Sequence, residues 1–235
     1  AIENDCDSYE IYIDETKSIE LDSRKDELNF SKEEIECGVG IRVIKDNKVG
    51  FAFTSNMEKI VETAKQSIEN TKLNKVDENY TFAEVEKVPS VEKVYDKKFN
   101  DLSLEESIEF LKSTIDTALE SGCEVTGSGF SASEGRSLIL NSNGVSIEDE
   151  GTGFGIGLSV TIQKYGQIAT AYNSQSSRFF DLDGEKLATE VCDLAKSSLN
   201  TKPIETNDYN VVLDYYAATG LLQTFISAFN GENVM

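Results

Sequence analysis

What this chain can do chemically is limited first by what it lacks. Its 235 residues include no histidine. That removes Ser-His and Cys-His nucleophiles, imidazole metal ligands and the commonest acid–base group near neutral pH. The four cysteines, Cys6, Cys37, Cys123 and Cys192, lie far apart in the sequence. No pair has the Cys-x-x-Cys spacing of a redox or zinc site. Carboxylates, lysine, tyrosine, serine and threonine are left, which argues against a self-sufficient hydrolase.

Two other patterns invite a chemical reading. In Gly151-Thr152-Gly153-Phe154-Gly155-Ile156-Gly157 the glycines recur at every second residue. A dinucleotide fingerprint needs glycine where Ile156 stands, and a phosphate loop needs a Gly-Lys pair that does not follow. A period of two instead puts all four glycines on one face of a strand, where a neighbour could approach closely. The acidic runs Asp5–Asp7 and Glu148–Glu150 could attract a hard cation, but neither has EF-hand spacing, so they read as solvated charge. The glycosylation sequons at Asn29 and Asn79 carry weight only in a secreted chain.

Charge narrows the partners. Forty-three acids against 22 bases give a net charge of −21. Lys72, Lys75, Lys97 and Lys98 are interleaved with acids and form no basic stripe, so neither nucleic acid nor an anionic membrane surface is an expected partner. No apolar run is long enough to span a bilayer, and nothing at the N-terminus reads as a signal peptide, so a reducing cytoplasm is expected.

These residues must be positioned by recognisable elements. Alternation predicts strands at 10–14, 18–22 and 34–44, with a turn at Lys45–Lys48 leading into a strand at 49–53. Thr54-Ser55-Asn56 offers caps for a helix over 57–70. A polar connector follows from Leu73 to Lys93. Ser103 and Glu106 form a capping box for a helix with Ile108, Leu111, Ile115 and Leu119 on one face, stopped by Gly122. Strands are expected at 125–133, 137–141 and 145–165, with a type I′ turn at Asn143-Gly144. A helix opened by Asp181–Asp183 runs to about Leu199, then a short buried strand over 210–214 and a helix over 215–229 packed as core. The fold class expected is α+β, a largely antiparallel sheet packed with helices. Residues 1–203 form the main domain, and 204–235 begin a second one that is incomplete in this chain.

The last segment carries the most information. Val211-Val212-Leu213, Ala218-Thr219-Gly220-Leu221-Leu222-Gln223-Thr224 and Asn230-Gly231-Glu232 combine with Gly38-Val39-Gly40-Ile41-Arg42-Val43 and the hairpin into Gly50-Phe51-Ala52. Asn141-Ser142-Asn143-Gly144 and the step from Arg178 to Asp181 fall in the same order. In these features the chain resembles the TldD/PmbA family of metalloprotease subunits, over nearly its whole length. The resemblance implies that the metal-bearing TldD branch carries His-Glu-x-x-x-His here, two zinc ligands and a general base. Aligning the paired leucines on Leu221-Leu222 places Gln223 and Ala228 at the histidines and Thr224 at the glutamate, and none of the three can do that job. The chain therefore resembles the PmbA or TldE branch, which pairs with TldD without the metal.

The resemblance further implies no catalytic, cofactor or metal residue on this chain, with zinc on a TldD-type partner. The complex would cleave small or unfolded peptides in the cytoplasm, and a homodimer stays open as another assembly. The family normally continues for about as much chain again and usually opens with a helix missing here, so Ala1 is expected to be a trimmed start. It also carries the label "modulator of DNA gyrase", which leaves a regulatory protein-binding module as the alternative. A third reading, an independent hydrolase with a carboxylate or Ser/Lys site, has no motif behind it.

Overall fold

A computed structural model describes residues 5–231. Six strands form one antiparallel sheet in the order β3-β2-β1-β4-β5-β6. They are β1 (Ser8–Arg24), β2 (Glu27–Lys45), β3 (Lys48–Thr54), β4 (Glu124–Asn141), β5 (Ser146–Lys164) and β6 (Gln167–Ser177). Helix α1 (Ile60–Asn70) follows β3, α2 (Leu104–Glu120) precedes β4, and α3 (Gly184–Ser197) follows β6. Each half is thus a three-stranded meander followed by a helix, and β1 joins β4 at the seam. The α+β class expected from the sequence is the one found.

The caps form as the residue types dictate. Asn56 accepts from the Glu58 amide ahead of α1. Ser103 and Glu106 close the capping box of α2, and Asp183 accepts from Lys186 to open α3. Asp46 and Asn47, both at positive φ, make the tight turn between β2 and β3.

All three helices lie on one face of the sheet. Leu111, Ile115 and Ala118 of α2 and Leu187, Val191 and Ala195 of α3 meet Phe130, Phe154, Ile156 and Leu158 in the larger core. Each large side chain buried there contributes about 1.5–3 kcal/mol. Ile60, Ala64 and Ile68 of α1 cover Val39, Ile41 and Val43 in a smaller one.

Several expectations need correction. The pairs expected at 10–14 and 18–22, and at 125–133 and 137–141, are each one continuous strand. The polar stretches between them stay in the ladder because neighbours on both sides pair them. Strand β6 was not expected. Its polar alternation is weak, but Tyr165 and Gly166, both at positive φ, turn the chain back onto β5. At Asn141–Gly144 only Gly144 has positive φ, and its amide donates to the Asn141 carbonyl at 3.1 Å. The turn is therefore a type I turn with a glycine bulge rather than type I′.

The chain divides after Asn200 into two compact units. Within the second, α4 (Tyr215–Ile226) continues as a 3-10 turn, Ser227–Phe229. Residues 210–214 form no strand, since no strand among the described residues pairs with them. No residue of α4 is buried, so the expected core helix is not found, and Phe225 is 53% exposed.

A Cβ on Gly50 would lie 1.9 Å from the Ser67 carbonyl oxygen of α1, and one on Gly184 would lie 2.0 Å from Thr114 Oγ1 of α2. These are the close approaches that seat the helices. Gly50→Ala is expected to cost about 1–3 kcal/mol in urea unfolding. Gly135→Ala, in open space within a strand, should be neutral or stabilising by up to ~1 kcal/mol. Phe225→Ala should change stability by under ~0.5 kcal/mol.

Candidate functional site

The face of the sheet opposite the helices is floored by small residues. Register sets Gly129, Ser131, Ser133 and Gly135 of β4 beside Gly157, Gly155, Gly153 and Gly151 of β5. Ser174 and Ser176 of β6 continue the floor. The alternate residues of β5, Thr152, Phe154, Ile156 and Leu158, are buried beneath the helices. The glycine run is therefore the open face of a strand, as its period of two requires. A Cβ on Gly155 would approach Ser131 Oγ to 3.2 Å, and one on Gly157 would approach Tyr172 Oη to 3.2 Å.

Three adjoining hollows share this floor, the largest about 630 Å³. Glu20, Asp22 and Phe30 line one flank and Tyr172 the other. Val94 of the connector, which in the structure runs over 74–96 between α1 and α2, lines the far end with Arg136, Asp149 and Arg178. The floor offers hydroxyls and carboxylates but no imidazole to activate them. It can hold a chain close to backbone but has no nucleophile–base pair of the usual kind.

The connector is more firmly placed than its composition suggests. Tyr80 accepts from Arg42 Nη1 at 3.2 Å, and Phe82, only 4% exposed, lies under the Arg42 guanidinium. Asn141 Nδ2 and Asn143 Nδ2 donate to the Ala83 and Phe82 carbonyls at 2.9 and 3.1 Å. The Thr152 amide donates to the Val94 carbonyl at 2.9 Å, and Asp96 accepts from the Phe180 amide at 2.8 Å. Burial pushes the Asp96 carboxyl up, but the amides of Lys98 and Phe180 and the Lys98 charge outweigh it and hold its pKa low.

Beneath the seam, Glu134 has a side chain only 2% exposed. Tyr95 donates to its Oε1 at 2.5 Å, Arg136 Nη2 donates to the same oxygen at 2.9 Å, and Lys17 Nζ lies 3.5 Å from Oε2. Burial raises the Glu134 pKa, but these hydrogen bonds and the two positive charges lower it by more. Sequence reasoning missed this cluster because its members lie on β1, β4 and the connector. It also missed that Cys123 and Cys192 meet in the core. There burial, then the hydrogen bond and charge of Cys123, push the Cys192 thiol up to about 12, which leaves it un-ionised near neutral pH.

Gln223 and Thr224 lie on α4, and Ala228 lies in the 3-10 turn that follows. A 3-10 turn winds at three residues per turn rather than 3.6. That carries position 228 further from the face of 223 than a regular helix would. An amide, a hydroxyl and a methyl also make no zinc donor set. Among the described residues no group of three or more cysteines and carboxylates is arranged to hold a metal ion. No described helix is long and apolar enough to cross a membrane.

Comparison with known proteins defines the class. Residues 9–71 match a family model described as PmbA/TldA metallopeptidase domain 1, and residues 97–199 match the PmbA/TldA metallopeptidase central domain. An uncharacterised protein of Methanocaldococcus jannaschii is 34% identical over 230 residues, covering 97% of this chain and 50% of that protein. The chain thus spans about half the length of the curated relative it matches.

TldE from Thermococcus kodakarensis superposes with a TM-score of 0.79 at 24% identity, over 84% of this chain and 46% of that one. A candidate modulator of DNA gyrase from Bacteroides thetaiotaomicron superposes with a TM-score of 0.85 at 24% identity, over 98% and 55%. These structures share the fold. The chain belongs to the TldD/PmbA family.

The Glu134 cluster gives a pH signature. A carboxyl whose pKa is lowered on folding adds stability above its ordinary value of 4.5, and that stability is lost as pH falls toward the folded value. Glu134→Gln should therefore destabilise the protein at neutral pH, with the gap to wild type closing in acid. Urea midpoints measured across that range check it.

Proposed function

We propose that the chain is the non-catalytic, PmbA/TldE-type subunit of a cytoplasmic TldD-type zinc metalloprotease that degrades or processes small or unfolded peptides. The carrying observation is the donor set at the motif positions. Gln223, Thr224 and Ala228 supply neither imidazole nor carboxylate, and the chain has no histidine anywhere. Zinc and the general base then belong to a TldD-type partner whose motif is His-Glu-x-x-x-His. Residues 204–235 are read as the opening of the second domain.

The role left to this chain is to hold peptide. The open sheet face supports that reading, since its glycine and serine floor lets an extended backbone lie close, and free sheet edges accept strands. A second reading, a regulatory protein-binding module, is favoured by the gyrase-modulator description of the similar Bacteroides thetaiotaomicron structure. With a net charge of −21, such a module would act on protein rather than on DNA.

Reconstitution separates the readings. A pulldown with a His-Glu-x-x-x-His partner should yield a complex that hydrolyses an unstructured peptide at a chelator-sensitive rate. The chain alone should hold no stoichiometric zinc. The triple variant Gln223→His, Thr224→Glu, Ala228→His should bind zinc weakly and cleave nothing by itself, because a third ligand and orienting groups are still needed. Chelator-sensitive hydrolysis by that variant alone would overturn the non-catalytic reading.

A further inference from the structure

Strand β2 is longer than the strand that covers it. β3 pairs with β2 only from Val39 to Lys45. From Glu27 to Gly38, β2 has β1 on one side and no strand on the other among the described residues. Such an edge presents backbone donors and acceptors to any extended chain.

This edge is flanked by apolar surface on both faces. On the helix face, Ile35 is 68% exposed and lines a hollow of about 360 Å³ with Ile19, Phe99 and Leu102. On the other face Phe30 borders the glycine–serine trough. Alternate side chains of an added strand would point into these two places in turn.

The edge also has a sign. Glu27, Glu33, Glu34 and Glu36 stand against one base, Lys32, which is already ion-paired with Glu34. On β1, Glu20 and Asp22 add to the negative side. A second copy would set like charge against like, which disfavours self-pairing.

We propose that the Glu27–Gly38 edge of β2 takes up an extended basic peptide segment as an added strand, with one of its apolar side chains in the Ile19–Ile35–Phe99–Leu102 hollow. The inference rests on the peptide-handling reading above and names the class of peptide and where it binds.

The test uses the chain alone with short labelled peptides alternating Lys with Leu or Val. Controls are an acidic counterpart and a version N-methylated at alternate backbone nitrogens. Fluorescence anisotropy gives affinity, and hydrogen exchange gives location. The basic peptide should bind and slow exchange of amides within 27–38. N-methylation should weaken it at least about tenfold. The paired charge reversal Glu33→Lys, Glu36→Lys, with fold checked by circular dichroism, should do the same and turn preference toward the acidic peptide.

No binding, equal binding of both charge types, indifference to N-methylation or protection elsewhere would each overturn the proposal. So would protection, before peptide is added, of the 27–38 amides that face away from β1, which would mean that a second copy or another part of the chain already covers the edge. Hydrolysis by the reconstituted pair without protection at β2 would overturn this inference alone. Protection without hydrolysis would sustain it and count against the subunit reading.

Discussion

The pairing of β1 with β4 is the contact on which the rest of the structure depends. It runs from Glu10 opposite Asn141 to Arg24 opposite Gly127 and is the seam between two meanders that are otherwise local hairpins. Hairpins with short turns form cheaply because little loop entropy is lost, whereas this seam closes across α1, the connector and α2. Both cores draw on it: Ile19 and Leu21 of β1 enter the larger, and Ile11 and Ile13 pack against the smaller. Midway, where the apolar cores do not reach, Glu134 sits buried with Tyr95, Arg136 and Lys17 around it. A buried carboxylate is tolerated only with its hydrogen bonds satisfied, and this cluster ties β1, β4 and the connector to one another.

Covering the sheet on one face only decides what the other face can do. The helices bury one set of alternate residues, leaving the glycines of β5 and the serines of β4 and β6 on the opposite side. A surface of small side chains brings a ligand near the backbone but has no tall groups to surround a reacting atom. Such a face suits holding an extended chain more than transforming it. That agrees with the amide, hydroxyl and methyl at Gln223, Thr224 and Ala228, and it supports the role proposed above.

The sequence by itself determined the local elements, the charge and the chemistry that is impossible. Capping at Asn56, Ser103 and Asp183 depends on residues within a turn of each other, and the period of two in Gly151–Gly157 is a property of any strand. The lack of histidine removes imidazole metal ligands and Ser-His or Cys-His nucleophiles without any fold at all. Only the tertiary structure decided that the polar stretches around Thr16 and Gly135 stay in the sheet, because each is held between a hairpin neighbour and a second partner over a hundred residues away. Burial of Glu134, the pinning of the connector through Phe82 and the meeting of Cys123 with Cys192 likewise depend on groups brought together from distant parts of the chain. The 210–214 segment shows the converse. Its strand-like pattern comes to nothing without a neighbour, because a strand is stabilised by hydrogen bonds to another strand and not within itself.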